Sequence, residues 1–148
     1  MDFRVPMVEM EVTVAMTESE PLVSVIYLSP YSHRREGFET VDEFLNSQRA
    51  FFPMKTGGVS KLVNRDQLLW LRAPRYPGEV AYAAAEADVI LEMIDGMRVE
   101  GMFEIARPVG QARISDVLNH GHELFVCLRD GDENYYVNKR FIRQVILR

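Results

Sequence analysis

The sequence predicts a mainly β protein made of two similar five-stranded units, each with one short α-helix. Residues 11–72 can be laid over residues 88–148 with short gaps, and Leu62-Val63-Asn64-Arg65 then matches Tyr136-Val137-Asn138-Lys139. A repeat of this kind indicates one supersecondary unit used twice. Because so small a unit buries too little surface to be stable alone, we expect the two to pack together about an approximate twofold axis.

Alternating segments predict the first strand of each unit. Apolar and less apolar residues alternate along 12–16 and again along 89–93, which is the period of a half-buried strand. Asp95-Gly96 is a hairpin signal. The second strands are therefore predicted at Leu22–Leu28 and Arg98–Ile105.

A short helix is predicted next in each unit. Thr40-Val41-Asp42-Glu43 has the pattern of a capping box, in which the threonine hydroxyl and the glutamate carboxylate each bond a backbone N–H. We expect Asn46 and Asn119 to end the helices in the left-handed conformation. The predicted buried faces are Val41, Phe44 and Leu45 in the first helix and Ile114, Val117 and Leu118 in the second.

Three further strands are predicted in each unit. Gly57-Gly58 and Asp130-Gly131 turn the chain between the third and the fourth strand. The link between the fourth and the fifth strand is short and has no glycine, so we expect a single 3₁₀ turn there. The predicted strands are Ala50–Met54, Lys61–Val63 and Leu68–Leu71, then Leu124–Leu128, Asn134–Val137 and Ile142–Leu147.

The predicted domain organisation is a first unit at 1–72, a linker at 73–87 and a second unit at 88–148. Residues 1–10 can add an edge strand, and residues 82–87 can add one or two helical turns to the linker. We expect the first and last strands to pair across the units. Edge strands of small units readily pair with neighbours, which favours a homo-oligomer.

The composition is globular, with 47% hydrophobic and 26% charged residues. The formal net charge of −5 disfavours a protein that holds nucleic acid mainly by its phosphates. The sequence shows no signal-peptide or membrane-spanning pattern, so we expect a cytoplasmic location and no membrane partner. The single cysteine, Cys127, lies in an apolar strand, where we expect an inert core thiol.

Two segments of the second unit resemble a known class of fold. Val89–Gly101 resembles the opening hairpin of the Sm-like and SH3-like small β-barrels, although the first unit has Ser24 in place of Gly101. Tyr136–Ile142 resembles their closing segment, where many Sm-like proteins contact RNA bases. The resemblance implies two barrel-like repeats and speaks to fold more than to function. Other segments resemble bacterial proteins of unknown function, namely Leu45-Asn46-Ser47, Phe51-Phe52-Pro53 and Val63-Asn64-Arg65.

The turn before each last strand is one candidate binding site. Both units place an asparagine and a cation there, as Asn64-Arg65 and as Asn138-Lys139-Arg140. The structural interpretation is that asparagine side chains satisfy the backbone of the turn. The Sm-like resemblance implies a polar recognition point at the same residues.

The loops in which the two units differ are a second candidate. The first unit carries His33-Arg34-Arg35 in a loop that is longer than its counterpart. Loops bear function more often than cores. We therefore expect the loops 29–40 and 106–113 to contribute to a binding surface.

His120-Gly121-His122 is the nearest match to a metal-binding pattern. Two imidazoles on an extended segment can share a zinc ion, which needs a third or fourth ligand such as Glu123 or His33. The structural interpretation is a polar loop, because the corresponding Ser47-Gln48-Arg49 carries no ligand.

The function that these patterns favour is a non-catalytic interaction or regulatory module with a protein partner and no cofactor. One alternative is an Sm-like RNA or nucleotide-binding protein. Another is a small metal-dependent enzyme that uses His33, His120 and His122.

Overall fold

The computed structural model describes residues 6–32, 37–75, 85–105 and 114–148. Within these ranges the chain is mainly β with two short α-helices, as predicted. In chain order the elements are β1 (Val8–Met16), β2 (Leu22–Leu28), α1 (Val41–Leu45), β3 (Phe51–Thr56), β4 (Val59–Asn64), a 3₁₀ turn (Arg65–Gln67), β5 (Leu68–Pro74), β6 (Ala85–Met93), β7 (Arg98–Ile105), α2 (Ile114–His120), β8 (Phe125–Asp130), β9 (Glu133–Asn138), a 3₁₀ turn (Lys139–Phe141) and β10 (Ile142–Leu147).

These strands form one antiparallel sheet in the order β10-β6-β7-β8-β9-β5-β1-β2-β3-β4. The sheet is open in the part of the chain that the structure describes, with β4 and β10 as its two edges. Each half of the sheet has its strands in the same order, which is fifth, first, second, third and fourth along the chain. The two halves therefore follow one another head to tail.

The junction between the halves corrects two sequence predictions. The halves meet where β5 pairs with β9, whereas β10 pairs with β6 inside the second half. The first and last strands thus do not pair across the halves. A twofold axis brings together strands of the same rank. Because β5 is the fifth strand of its half and β9 is the fourth, the predicted pseudo-twofold relation is wrong.

The junction is buried on both faces of the sheet. Leu68–Leu71 and Tyr136–Asn138 are buried throughout. Since successive residues of a strand point to opposite faces, β5 and β9 contribute to both of the hydrophobic cores that flank them. Phe125 and Tyr136 of the second half join the first core, and Trp70 of the first half joins the second core.

The capping box predicted at the start of α1 is present. The Glu43 N–H donates to Thr40 Oγ1 at 3.1 Å, and the Thr40 N–H donates back to the Glu43 carboxylate at 3.4 Å. Val41, Phe44 and Leu45 are buried in the first core, as their spacing predicted. The capped helix thus packs its apolar face against the first core.

Asn46 ends α1 as predicted, but the predicted left-handed conformation at Asn46 and the predicted end of α2 at Asn119 are wrong. Asn46 has a φ of −92°, which lies outside the left-handed region. Asn119 lies inside α2, which continues to His120. Asn46 instead bonds the backbone of Phe125, a residue of the other half.

Other segments differ from the prediction in extent. Residues 8–10 extend β1 and do not form a separate edge strand. Residues 85–87 belong to β6, although the sequence predicted helical turns over 82–87. The rest of that prediction, and the middle of the predicted linker, lie outside the described residues. The 3₁₀ turns were predicted correctly before β5 and β10.

Candidate functional site

The two 3₁₀ turns lie side by side at one end of the junction, because β5 begins where β9 ends. We name residues 64–67 and 138–141 the paired-turn site. It brings together Asn64-Arg65 and Asn138-Lys139-Arg140, which the sequence singles out as candidates. An ion pair links the two turns, with Arg140 Nη1 3.8 Å from Asp66 Oδ2.

Both asparagines of the paired-turn site bond the backbone of their own turn. The Oδ1 atom of Asn64 accepts from the Asp66 N–H at 3.0 Å, and that of Asn138 accepts from the Arg140 N–H at 3.0 Å. Asn138 also donates through Nδ2 to the Leu68 carbonyl across the junction at 3.0 Å and is completely buried. These contacts agree with the structural interpretation of the asparagines.

The cations that follow the asparagines also bond the backbone. Arg65 Nη1 donates to the carbonyl of Leu45, the last residue of α1, and to that of Ser47 just beyond the helix. Lys139 Nζ donates to the Gly121 carbonyl at 3.0 Å, just beyond α2. Each cation thus holds the segment that leaves the helix of its own half.

Arg140 differs from the other residues of the paired-turn site in its exposure. Its side chain is 67% exposed, whereas the side chain of Arg65 is 19% exposed. A planar guanidinium can bind a carboxylate or a phosphate through two hydrogen bonds. The site therefore offers one accessible cation, Arg140, beside polar side chains that bond the backbone.

A second site is the loop between β2 and α1, whose described part we name the Tyr31 loop (residues 29–32 and 37–40). Glu39 anchors it: the carboxylate accepts from the Ser29 N–H at 3.0 Å, and the Glu39 N–H donates to the Ser29 carbonyl at 2.8 Å. Glu39 is only 8% exposed. The Ser32 hydroxyl donates to Glu43 at 2.7 Å, which ties the loop to the start of α1.

Tyr31 projects from this anchored loop into solvent. It is 73% exposed, and its N–H donates to the Ser29 hydroxyl at 3.3 Å. His33, Arg34 and Arg35, which the sequence places in the same loop, lie outside the described residues, as does the loop 106–113. The described part therefore combines a fixed backbone with an exposed aromatic ring.

The candidate metal ligands His120 and His122 lie at the end of α2 and just beyond it. His120 and His122 are both exposed, and His33 lies outside the described ranges. The described residues contain no group of three or more His, Cys, Asp or Glu side chains with the geometry of a metal site. Cys127 is half-buried and packs against the first core.

A third surface combines residues that sequence reasoning did not group together. Phe51, Pro53 and Leu62, which we name the outer patch, point away from the first core on β3 and β4. Pro53 pairs with Leu62, and paired residues share one face of a sheet. Phe51 is 54% exposed and Leu62 is 71% exposed. Apolar residues on both faces, as in Phe51-Phe52 and Leu62-Val63, were the signal available in the sequence.

Comparisons with known proteins found no match to this chain. No protein-family model, no curated protein and no solved structure matches it. Among the described residues, no helix has the length and apolar character needed to cross a membrane.

Proposed function

We propose that the protein is a non-catalytic interaction or regulatory module of the cytoplasm that binds a protein partner through the Tyr31 loop. The observation that carries the proposal is the exposure of Tyr31, at 73%, on a loop whose backbone is fixed by the buried Glu39. Tyrosine is enriched at protein interfaces because it supplies a large contact area together with a hydroxyl.

A fixed loop favours binding because ordering a flexible loop costs free energy when a complex forms. Here the Ser29–Glu39 and Ser32–Glu43 hydrogen bonds are present before any partner arrives. The cost is then already met by folding. The tyrosine side chain has few rotatable bonds, which keeps the remaining cost small.

We also propose that the two halves are tandem copies of one small barrel-like scaffold. Both contain two strands, a helix, two strands, a 3₁₀ turn and a last strand, in the same order. Both use an asparagine to cap the turn and the next cation to hold the segment beyond the helix. The Tyr31 loop belongs to the first copy, so the scaffold itself does not account for it.

Site-specific photo-crosslinking tests the proposed binding surface. A photoreactive phenylalanine analogue replaces Tyr31 in the full chain, which is expressed in the cells that produce it naturally. We expect one defined crosslinked protein, and we expect Tyr31→Ala to reduce the capture of that protein by the tagged chain. A matched control carries the same analogue at Asp132, an exposed hairpin residue of the second half. Equal crosslinking from both positions contradicts the proposal.

The exposure of Arg140 favours one competing function, the binding of RNA. A gel-shift titration with single-stranded RNA at low and high salt tests it, because phosphate contacts weaken as salt rises. Under the proposed function we expect no shift at low salt. A salt-sensitive shift that Arg140→Ala abolishes would favour the RNA-binding alternative instead.

A further inference from the structure

We infer that copies of this chain assemble head to tail, with the edge strand β4 of one copy pairing with the edge strand β10 of the next. The partner is thus a second copy of the chain. The pairing would repeat, between copies, the junction that β5 and β9 form inside each copy. The inference is independent of the Tyr31 loop and of its proposed partner.

The first argument is the correspondence between the strands involved. β10 holds the same position in the second half as β5 holds in the first, and β4 holds the same position as β9. In the part of the chain that the structure describes, β4 and β10 are the two edges of the sheet, and an edge strand has no ladder partner on its outer side. Such edges pair readily with another strand unless they are protected.

The correspondence fixes the register between copies. Inside the chain, Leu71 pairs with Tyr136. The residues at the same positions in the two edge strands are Val145 in β10 and Leu62 in β4. Val145 of one copy would therefore lie opposite Leu62 of the next, which is an apolar pair.

The second argument is the exposure of the outer patch. Phe125 and Tyr136 of the second half correspond to Phe51 and Leu62 of the first half. Phe125 is 1% exposed and Tyr136 is 2% exposed, because the first half of the same chain covers them. Phe51 is 54% exposed and Leu62 is 71% exposed. The first half thus presents the apolar face that the second half buries at the junction.

The third argument concerns the two turn asparagines. Nδ2 of Asn138 donates across the junction to the Leu68 carbonyl at 3.0 Å. Oδ1 of Asn64 accepts from the Asp66 N–H, as Oδ1 of Asn138 accepts from the Arg140 N–H, but Asn64 is only half-buried beside the edge of the sheet. In the proposed joint Nδ2 of Asn64 would donate to the carbonyl of Ile142 of the next copy, since Ile142 corresponds to Leu68.

The fourth argument is that the helix contact has a counterpart. Asn46, at the end of α1, bonds both backbone groups of Phe125. Asn119 matches Asn46 in the alignment of the two halves, lies in the last turn of α2 and is exposed. It would bond the backbone of Phe51 of the next copy in the same way.

The charges at the proposed joint are compatible. Arg140 pairs with Asp66 inside the chain at 3.8 Å, and the joint would bring Arg140 of one copy to Asp66 of the next. At the position of the Arg72–Glu133 ion pair, the joint would instead place Ile146 beside Val59, an apolar pair. No like charges face each other at these positions.

The assembly would be a closed ring or an open filament, according to whether the rotation between halves closes on itself. A joint between unlike surfaces leaves one free surface of each kind at the two ends, and these can join only when the rotation closes. Symmetric β4–β4 or β10–β10 pairing lacks the precedent that the β5–β9 junction provides.

Light scattering coupled to size-exclusion chromatography tests the assembly, over concentrations up to about 100 µM, where a micromolar joint is mostly formed. We expect the measured molar mass of the wild-type chain to exceed that of the monomer, and the measured molar mass of Leu62→Arg to equal that of the monomer. Val23→Arg is the matched control, because Val23 is similarly exposed, at 60%, but lies on β2 away from the edge. A monomeric wild type would overturn the inference.

Disulfide trapping tests the register and does not depend on the behaviour of Leu62→Arg. Two variants that both carry Cys127→Ser are mixed under oxidation, one with Leu62→Cys and the other with Val145→Cys. We expect a covalent dimer from the mixture in excess over either variant alone. Ile146→Cys replaces Val145→Cys in the control, because a shift of one residue places the thiol on the opposite face of the strand. A dimer formed chiefly by Leu62→Cys alone would indicate symmetric β4–β4 pairing and would overturn the head-to-tail joint.

Discussion

Asn46 in the first half bonds both backbone groups of Phe125 in the second half. Its Oδ1 accepts from the Phe125 N–H at 2.9 Å, and its Nδ2 donates to the Phe125 carbonyl at 3.4 Å. Phe125 itself is 1% exposed and belongs to the first core. One side chain at the end of a short helix thus fastens the two halves together.

Asn46→Ala should lower the free energy of unfolding by about 1–3 kcal/mol, because it leaves buried backbone groups without partners. Urea unfolding followed by circular dichroism measures the change. Gln48→Ala, at an exposed position two residues further on, is the control and should stay within about 0.5 kcal/mol of wild type. Equal changes in the free energy of unfolding for the two substitutions would contradict a stabilising role of Asn46 at the junction.

Thr40→Ala should lower the free energy of unfolding by about 1 kcal/mol, since it removes the side-chain acceptor of the Glu43 N–H at the start of α1. Thr40→Ser keeps the hydroxyl and should retain most of that stability. Thermal unfolding of the two variants in the same buffer provides the comparison. Indistinguishable variants would show that the cap contributes little.

Asn138→Ala should be more destabilising than Asn64→Ala at protein concentrations where the chain is monomeric. Asn138 is completely buried and spans the junction, whereas Asn64 is half-buried. We expect a difference of about 1–2 kcal/mol in the free energy of unfolding, the range for one additional buried hydrogen bond. Parallel denaturant titrations test the order, and a larger effect at Asn64 would reverse the interpretation.

Gly101→Ala should destabilise the pairing of β7 with β8. A Cβ atom at this position would lie 2.7 Å from the Arg129 carbonyl oxygen and 3.2 Å from the Leu128 Cβ atom. Because the nearest atom belongs to the backbone, the strands would have to separate, at a cost of about 1–3 kcal/mol. Glu100→Ala, which removes an exposed ion pair with Arg148, is the control and should change stability by less than about 1 kcal/mol. Hydrogen exchange of the β7 and β8 amides locates the effect.

Glu39→Ala should loosen the Tyr31 loop, because the Ser29 N–H loses its acceptor. If the loop binds the partner, photo-crosslinking from position 31 should fall by roughly tenfold. This factor corresponds to about 1.4 kcal/mol, which is within the range for the loss of one hydrogen bond that orders the loop before binding. Glu39→Gln keeps a side-chain oxygen at this position and should retain most of the crosslinking. An unchanged crosslinking yield in both Glu39 variants would show that binding does not depend on the order of the loop.

Much of the local structure could be predicted from the sequence because its causes are local. The capping box at Thr40 and Glu43 and the 3₁₀ turns depend on residues within a few positions of each other. The extent of β10, Ile142–Leu147, was predicted from its apolar pattern. These features need no knowledge of the rest of the chain.

The features that sequence reasoning missed depend on distant residues. Asn46 ends α1 as expected, but without the left-handed conformation, and its side chain bonds Phe125, which lies 79 residues away. Neither β5 nor β9 has a sequence pattern from which its pairing with the other strand could be predicted. Phe51 and Phe125 look alike in sequence, and their different exposure follows only from which half has a neighbour.

For the candidate sites, the sequence located the right segments but not the use of their side chains. Asn64, Arg65, Asn138 and Lys139, which the sequence singles out, come together in the paired-turn site. Their hydrogen bonds to the backbone emerge only from the three-dimensional arrangement. The anchoring of Tyr31 by Glu39 was equally invisible, since an isolated glutamate in a loop has no distinguishing pattern.

The burial of β5 and β9 on both faces determines how the chain melts. Each of these strands contributes side chains to both cores, so unfolding of one core removes packing from the other. The two cores should therefore unfold in a single cooperative transition. A fragment cut between the halves would expose Trp70 on one piece and Tyr136 on the other. We therefore expect the two halves of the sheet to unfold as one thermodynamic unit, and a substitution in β5 or β9 to affect both cores at once.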